Sequence, residues 1–267
     1  MLKKITFFLS FLVLSSIYAQ AQHDYKIYEW EKYHRGWMEV GLRASRIFNN
    51  SNTYQFYFDG RNRVKQGLSM TTANIAYGFS DKLMVGLNSD FLVKGSIGAN
   101  FYRLRANALY RLSDKHSHSL GTSLFLEYSI PNSLSKLPTE IELKLILSKQ
   151  WGDFQLDINP SLVQALSGSE ADRQSALANC NVGFYWKRHY VFQPGLEYYG
   201  AFGEVTNLSS QKEQIHELFA VANIRLADGL LFNIGAGHGL TDASETVVGK
   251  IGIRYQFPTI SPRKQHW

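Results

Sequence analysis

Residues 101–130 read FYRLRANALY RLSDKHSHSL GTSLFLEYSI, and their period decides the fold. Tyr102, Leu104, Ala106, Ala108, Tyr110 and Leu112 fall on one side of an extended chain, while Arg103, Arg105, Asn107 and Arg111 fall on the other. After a polar break the alternation resumes. His118, Leu120, Thr122, Leu124, Leu126, Tyr128 and Ile130 oppose Gly121, Ser123, Phe125, Glu127 and Ser129. Apolar residues that return at every second position mark a strand, because successive side chains leave opposite faces of a pleated backbone. A helix would return them every third or fourth residue.

The same period runs on along the chain. Ile141, Leu143, Leu145 and Leu147 oppose Glu142, Lys144 and Ser148, and Val247, Gly249, Ile251, Ile253, Tyr255 and Phe257 oppose Val248, Lys250, Gly252, Arg254 and Gln256. Many such segments are about 11 to 14 residues long, whereas strands of soluble proteins are about 5 or 6 and a tilted strand crosses a bilayer in about 9 to 11. Twelve strands are predicted, at 36–48, 66–79, 82–93, 101–112, 118–130, 140–151, 154–165, 176–187, 190–202, 215–226, 230–240 and 246–257. Their connections alternate: 80–81, 113–117, 152–153, 188–189 and 227–229 are short, while 49–65, 94–100, 131–139, 166–175 and 203–214 are long. Short periplasmic turns alternating with longer outer loops, on an even number of strands, are the arrangement of an all-β, single antiparallel transmembrane outer-membrane β-barrel. Tyr54, Phe56 and Phe58 also alternate, but a thirteenth strand would be odd for a bacterial barrel, so 49–66 is expected to extend the first hairpin outward. Pro160 and Pro194 fall inside predicted strands, where the missing amide donor predicts bulges or early strand ends.

Composition agrees with this reading. The 267 residues are 45% hydrophobic and 14% aromatic, which excludes a disordered or collagen-like chain, and the single Cys180 cannot pair within the chain, which excludes a disulfide scaffold. The 28 basic and 22 acidic residues give a net charge of +6 without a basic run long enough for a nucleic-acid arm, so nucleic acid is not an expected partner. Lys3 and Lys4, the apolar run 5–17 and the small-residue site at 18–21 make residues 1–21 a secretory signal peptide, too short in its apolar core to span a bilayer. The expected organisation is therefore a signal peptide at 1–21, a periplasmic N-terminal segment at 22–35, the barrel at 36–257 and a periplasmic tail at 258–267. Trp37, Tyr77, Tyr110, Tyr128, Trp151, Trp186, Tyr190, Tyr198 and Tyr255 fall toward strand ends or outward, as interfacial girdles do.

Two stretches carry a family resemblance. Tyr77-Gly78-Phe79-Ser80-Asp81-Lys82-Leu83-Met84-Val85-Gly86-Leu87 resembles an inner turn of the meta-pathway phenol-degradation-type outer-membrane barrels, and residues 237–244 followed by 249–257 resemble their last hairpin. The resemblance covers about a fifth of the chain and implies a barrel that transports small, often aromatic compounds. The terminal strand also resembles the assembly signal of such barrels, with Tyr255 and Phe257 as the aromatics read by the barrel-assembly machinery, although ten residues follow Phe257.

Alternation assigns an inward set in which both charges are nearly balanced. It comprises Glu39, Arg43, Asn74, Asn88, Asp90, Arg103, Arg105, Asn107, Glu127, Glu142, Lys144, Asp157, Asn179, Lys187, Glu197, Glu217, Arg225, Lys250 and Arg254. Strand order sets Asp90 beside Arg103 and Arg105, that pair beside Glu127, and Glu39 and Arg43 beside Lys250 and Arg254. The lumen and selectivity candidates are Arg43, Asp90, Arg103, Arg105, Glu127, Glu142, Lys144, Lys250 and Arg254. Charged rings set pore selectivity, so these residues suit a narrow channel or transporter for a small polar or anionic solute. The alternatives are a closed structural or ligand-binding barrel, whose charges only neutralise one another, and an outer-membrane lipid-modifying enzyme.

The enzyme reading would need a Ser–His pair on the lipid-facing wall, but the candidate 116–119 sits at a short turn. His116 and His118 supply two ligands where a structural zinc needs four, so neither a metal nor a cofactor is expected. Gly235, Gly237 and Gly239 mark a close approach or bend rather than a phosphate cradle, because no helix follows. Expected partners are outer-membrane lipids, the assembly machinery and a small-molecule solute.

Overall fold

The computed structural model describes residues 24–31, 34–50, 53–55, 62–95, 98–113, 120–134, 137–167 and 175–259. The elements in chain order are β1 (Trp37–Asn49), β2 (Thr53–Gln55), β3 (Asn62–Val64), β4 (Ser69–Gly78), β5 (Leu83–Val93), β6 (Ala99–Arg111), β7 (Gly121–Pro131) and β8 (Glu140–Trp151). They continue with β9 (Phe154–Ala165), β10 (Leu177–Trp186), β11 (Phe192–Glu204), β12 (Asn207–Leu208), β13 (Ile215–Ala227), β14 (Leu230–Gly239) and β15 (Val247–Pro258). The sheet runs β10-β9-β8-β7-β6-β5-β4-β1-β15-β14-β13-β11, and antiparallel pairing of β10 with β11 closes it into a twelve-stranded barrel. Closure leaves no open edge in the wall, which a strand crossing hydrocarbon requires.

The two faces of the wall are inverted relative to a soluble protein. On β7, Leu124, Leu126, Tyr128 and Ile130 are exposed, whereas Ser123, Phe125, Glu127 and Ser129 are buried. Asp90, Arg105, Lys144, Asp157, Glu197, Glu217 and Lys250 are likewise buried, while Leu42, Leu87, Leu143, Leu162, Leu196 and Ile251 face outward. A polar interior inside an apolar jacket is stable only where hydrocarbon replaces water outside. Of the aromatics predicted for the girdle, Trp37, Tyr110, Tyr128, Trp151, Trp186, Tyr190 and Tyr255 are exposed, whereas Tyr77 and Tyr198 are half-buried.

Local chemistry accounts for the turns. In the β4–β5 connection the Ser80 hydroxyl accepts from the amides of Lys82 and Leu83 at 3.2 and 3.0 Å, and Phe79 N–H donates to Leu83 O at 2.9 Å. Asp228-Gly229 joins β13 to β14, with Gly229 at φ +77° beside a bulge between Arg225 and Ala227.

Several expectations need correction. Tyr102, expected on the outer face, is 3% exposed, because the register shift between Asp90↔Arg103 and Phe91↔Phe101 makes it the extra residue of a bulge in β6 and turns it inward. Neither proline shifts the register. The β8–β9 ladder is merely interrupted between Lys144↔Ser161 and Leu147↔Ile158, around Pro160, and Pro194 lies just beyond the last β10–β11 pair, Tyr185↔Gly195. Within 49–66, Thr53–Gln55 pairs with Asn62–Val64 apart from the barrel sheet, so the stretch adds no thirteenth wall strand, as expected. The connection between β6 and β7 spans 112–120, longer than the turn expected at 113–117. Pro258 closes β15, paired with Trp37, rather than beginning a tail. The proposed signal peptide, the 116–119 candidate and residues 260–267 lie outside the described residues.

The largest difference concerns the segment expected in the periplasm at 22–35. Residues 24–31 enter the barrel and bond to the inward faces of strands all around it. The polar wall left by β alternation supplies them with partners that water would otherwise provide.

Candidate functional site

The site is the lumen, and residues 24–31 thread it. The Asp24 carboxylate meets Arg43 of β1 through two bonds, Nε to Oδ1 and Nη2 to Oδ2, both 3.0 Å long, and receives Arg105 Nη2 of β6 at 2.6 Å. Glu29 accepts from Lys187 Nζ at 2.7 Å and from Gln155 Nε2 at 3.1 Å. Glu31 accepts from Arg254 Nη1 at 2.8 Å. Burial alone would raise the Asp24 carboxyl, but the Arg43 and Arg105 guanidiniums outweigh it and hold the group well below its usual range.

Aromatic residues fill the space between these charges. The Tyr25 ring lies 5.2 Å from Tyr199 and 4.8 Å from Phe219, and its hydroxyl donates to Glu217 at 3.3 Å. Tyr28 packs 4.7 Å from Phe125 within a buried cluster that includes Ala76, Met84, Leu109 and Ile146. Trp30 N–H donates to Ser148 Oγ at 2.7 Å and its indole N–H to Ser113 O at 3.0 Å. Asp24, Lys26 and Tyr28 line two cavities, of about 100 and 80 Å³, one against β1, β4 and β15 and the other against β6 to β10. The segment thus lies between two smaller lumenal spaces.

The wall charges form two groups. Asp90, which is 0% exposed, binds Arg103 Nε at 2.7 Å and Arg105 Nη2 at 2.9 Å, and Arg105 Nη1 reaches Glu127 at 3.1 Å. This is the cluster that strand order predicts. Lys144 pairs with Glu142 at 3.2 Å on β8. On the opposite wall Glu39 receives Arg254 at 3.4 Å, as expected, but Arg43 and Lys250 do not join that pair. Arg43 turns to Asp24, and Lys250 crosses β14 and β13 to Glu197 of β11, which also accepts from Tyr185 and Tyr199. Gly235 permits the crossing, because a Cβ there would sit 3.2 Å from Lys250 Cε and 2.7 Å from Val221 Cγ1. Gly237 serves Phe219 similarly, since a Cβ would fall 2.5 Å from its ring.

Sequence reasoning missed Asp24, Tyr25, Tyr28, Glu29, Trp30 and Glu31. The signal was present in DYKIYEWE at 24–31, where three aromatics in eight residues are too apolar for a solvated linker.

Solved structures of similar shape bear on this architecture. An outer-membrane channel from Pseudomonas putida F1 aligns over 88% of this chain and 100% of its own, with a TM-score of 0.61 at 10% identity. The fold is that of an outer-membrane β-barrel. A KdgM porin aligns over 82% of this chain and 99% of its own (TM-score 0.56, 7% identity), and a NanC porin over 81% and 98% (TM-score 0.54, 11% identity). No family model and no curated relative matches the sequence.

Proposed function

We propose that this protein is a narrow outer-membrane channel for a small polar or anionic solute, and that residues 24–31 are its closure. The observation that carries the reading is the polar lumen with its own segment inside, tied by Asp24 to Arg43 and Arg105, Glu29 to Lys187 and Glu31 to Arg254. A closed structural barrel would fill its interior from the wall, as most small barrels do. Here a segment outside the sheet does the filling.

Magnitudes favour a displaceable segment. Ordering eight residues costs about 8–16 kcal/mol at about 1–2 kcal/mol each. Burying the rings of Tyr25 and Tyr28, at about 200 Å² each and 25 cal/mol per Å², returns about 10 kcal/mol as an upper value. The two terms nearly cancel, which leaves the ion pairs to decide whether the lumen is shut.

In this reading the signal peptide at 1–21 exports the chain, and Arg43, Arg103 and Arg105 set selectivity against Asp90, Glu127 and Glu142. The resemblance at 77–87, 237–244 and 249–257 supports small aromatic compounds within the solute class. Tyr255 and Phe257, stacked 5.4 Å apart on the last strand, are proposed as the contact for the assembly machinery.

Single-channel recording in a planar bilayer under a salt gradient tests this. The chain without residues 24–31 should give larger discrete steps than the chain that keeps them. Silence from both would support the second reading, a closed ligand-binding barrel, which the filled lumen of the intact chain favours.

A further inference from the structure

We propose that Arg43 and Arg105 together form a carboxylate-binding station in mid-lumen, that Asp24 is the chain's own occupant of it, and that small organic carboxylates displace Asp24 there. This rests on the channel reading above, in that a solute must be able to reach the middle of the barrel.

The donors are arranged for a planar anion. Arg43 offers a two-pronged fork, with Nε and Nη2 each 3.0 Å from a different Asp24 oxygen, and Arg105 Nη2 closes on Oδ2 from the other side at 2.6 Å. Forked guanidinium bonds match carboxylate geometry in length and angle, which a lysine ammonium does not. The two arginines come from β1 and β6, with β4 and β5 between them, so they face one carboxylate from separate parts of the wall.

The wall does not satisfy both partners equally. Arg105 keeps Asp90 and Glu127 when Asp24 leaves. Asp24 is the one carboxylate within ion-pair distance of Arg43 among the described residues. Arg43, largely enclosed, would then lack a countercharge, and an uncompensated charge in a confined site is costly. An incoming carboxylate removes that cost, so exchange of one carboxylate for another is nearly neutral where plain departure is not. Access fits the exchange, because Asp24 lines both lumenal cavities and can be approached from either. Tyr25 and Tyr28, adjacent on the same segment, leave an apolar volume beside the station when they move with Asp24.

The test is isothermal titration of the refolded full chain with sodium benzoate and, separately, with sodium sulfate. A tethered competitor acts at an effective concentration in the millimolar range or above. Asp24→Asn should therefore bind benzoate at least about tenfold more tightly than the parent, and adding Arg43→Gln to that variant should abolish the gain. Unchanged benzoate affinity in Asp24→Asn, or tight binding that survives Arg43→Gln, overturns the station. Sulfate binding as tight as benzoate overturns the carboxylate assignment. Resistance of each variant to unfolding in sample buffer without heating confirms a folded barrel. Bilayer recording on the same preparations separates the two proposals. Conductance without the benzoate effect leaves the channel and removes the station, and the benzoate effect in a silent barrel does the reverse.

Discussion

Asn159 of β9 holds the backbone of Tyr28 with both ends of its amide: Oδ1 accepts from Tyr28 N–H at 2.7 Å and Nδ2 donates to Tyr28 O at 2.9 Å. The bracket imitates one step of a β-ladder using a side chain. It falls where the β8–β9 ladder is interrupted beside Pro160, so a local defect in the wall coincides with an anchor for the segment inside.

Asn159→Leu keeps the volume of the side chain but leaves the Tyr28 N–H and C=O without partners. An unsatisfied buried polar group costs about 1–3 kcal/mol, enough to shift a near-balanced segment toward release. Larger or more frequent conductance steps than the parent are expected in planar bilayers. Unaltered steps would show that the bracket does not hold the closure.

Acid should loosen the closure. Burial would raise the Glu31 carboxyl, yet Arg254 beside it brings it down to about 2, and Asp24 is held low by Arg43 and Arg105 in the same way. A carboxyl depressed on docking contributes stability fully above its free value and loses it as pH falls through the docked one. Docking should thus hold steady above about pH 5 and weaken progressively toward pH 2. Open probability recorded between pH 6 and pH 3 should rise with acid, and the rise should shrink in Asp24→Asn. A flat profile would exclude this control.

Arg103→Ala combined with Arg105→Ala removes two lumenal cations while leaving Asp90 and Glu127 in place. Selectivity should move toward cations, read as a shift of reversal potential in a salt gradient. An unchanged potential would mean that the permeation path does not pass these residues.

Lys250→Met leaves Glu197, 2% exposed, facing Tyr185 and Tyr199 without its cation. Breaking a buried pair costs about 3–5 kcal/mol, whereas replacing both partners is far milder. Denaturant unfolding of the refolded barrel should show this loss for Lys250→Met and substantial recovery when Glu197→Gln is added. Equal losses in the single and double variants would argue against the pair.

Leu126 and Phe125 are neighbours on β7 with opposite surroundings, 45% and 1% exposed. Leu126→Arg places a charge in the lipid near the middle of the strand, at a cost of about 2–4 kcal/mol. Unfolding from phospholipid vesicles should register that penalty; its absence would move this stretch of β7 out of the hydrocarbon.

Much of the barrel was legible because its cause is local. A β-strand alternates with a period of two, so the outward Leu124, Leu126 and Ile130 and the inward Glu127 can be read without knowing any partner strand. Antiparallel order then brings Asp90 to Arg103 and Arg105, and Arg105 to Glu127, because consecutive strands become neighbours. Where a bulge broke the period, as at Tyr102, the reading failed with it.

The contents of the lumen are another matter. Whether Arg43 meets Lys250 or Asp24, and whether Lys250 stays on its own wall or reaches Glu197, depends on which side chains point across a space about a barrel wide. No spacing along the chain encodes that distance. DYKIYEWE at 24–31 alternates only in two short runs that slip at Ile27–Tyr28, too short to mark a wall strand, so its place is set by what surrounds it: a polar wall already closed by β10 and β11, where its acids meet Arg43 and Lys187 and add a further carboxylate to Arg105 and Arg254, which already hold Glu127 and Glu39. The sequence by itself determined a polar-inside, apolar-outside barrel, because alternation is a property of the strand. Only the tertiary structure decided that residues 24–31 occupy its lumen, because that placement is a balance of burial, charge and chain entropy among residues far apart in sequence.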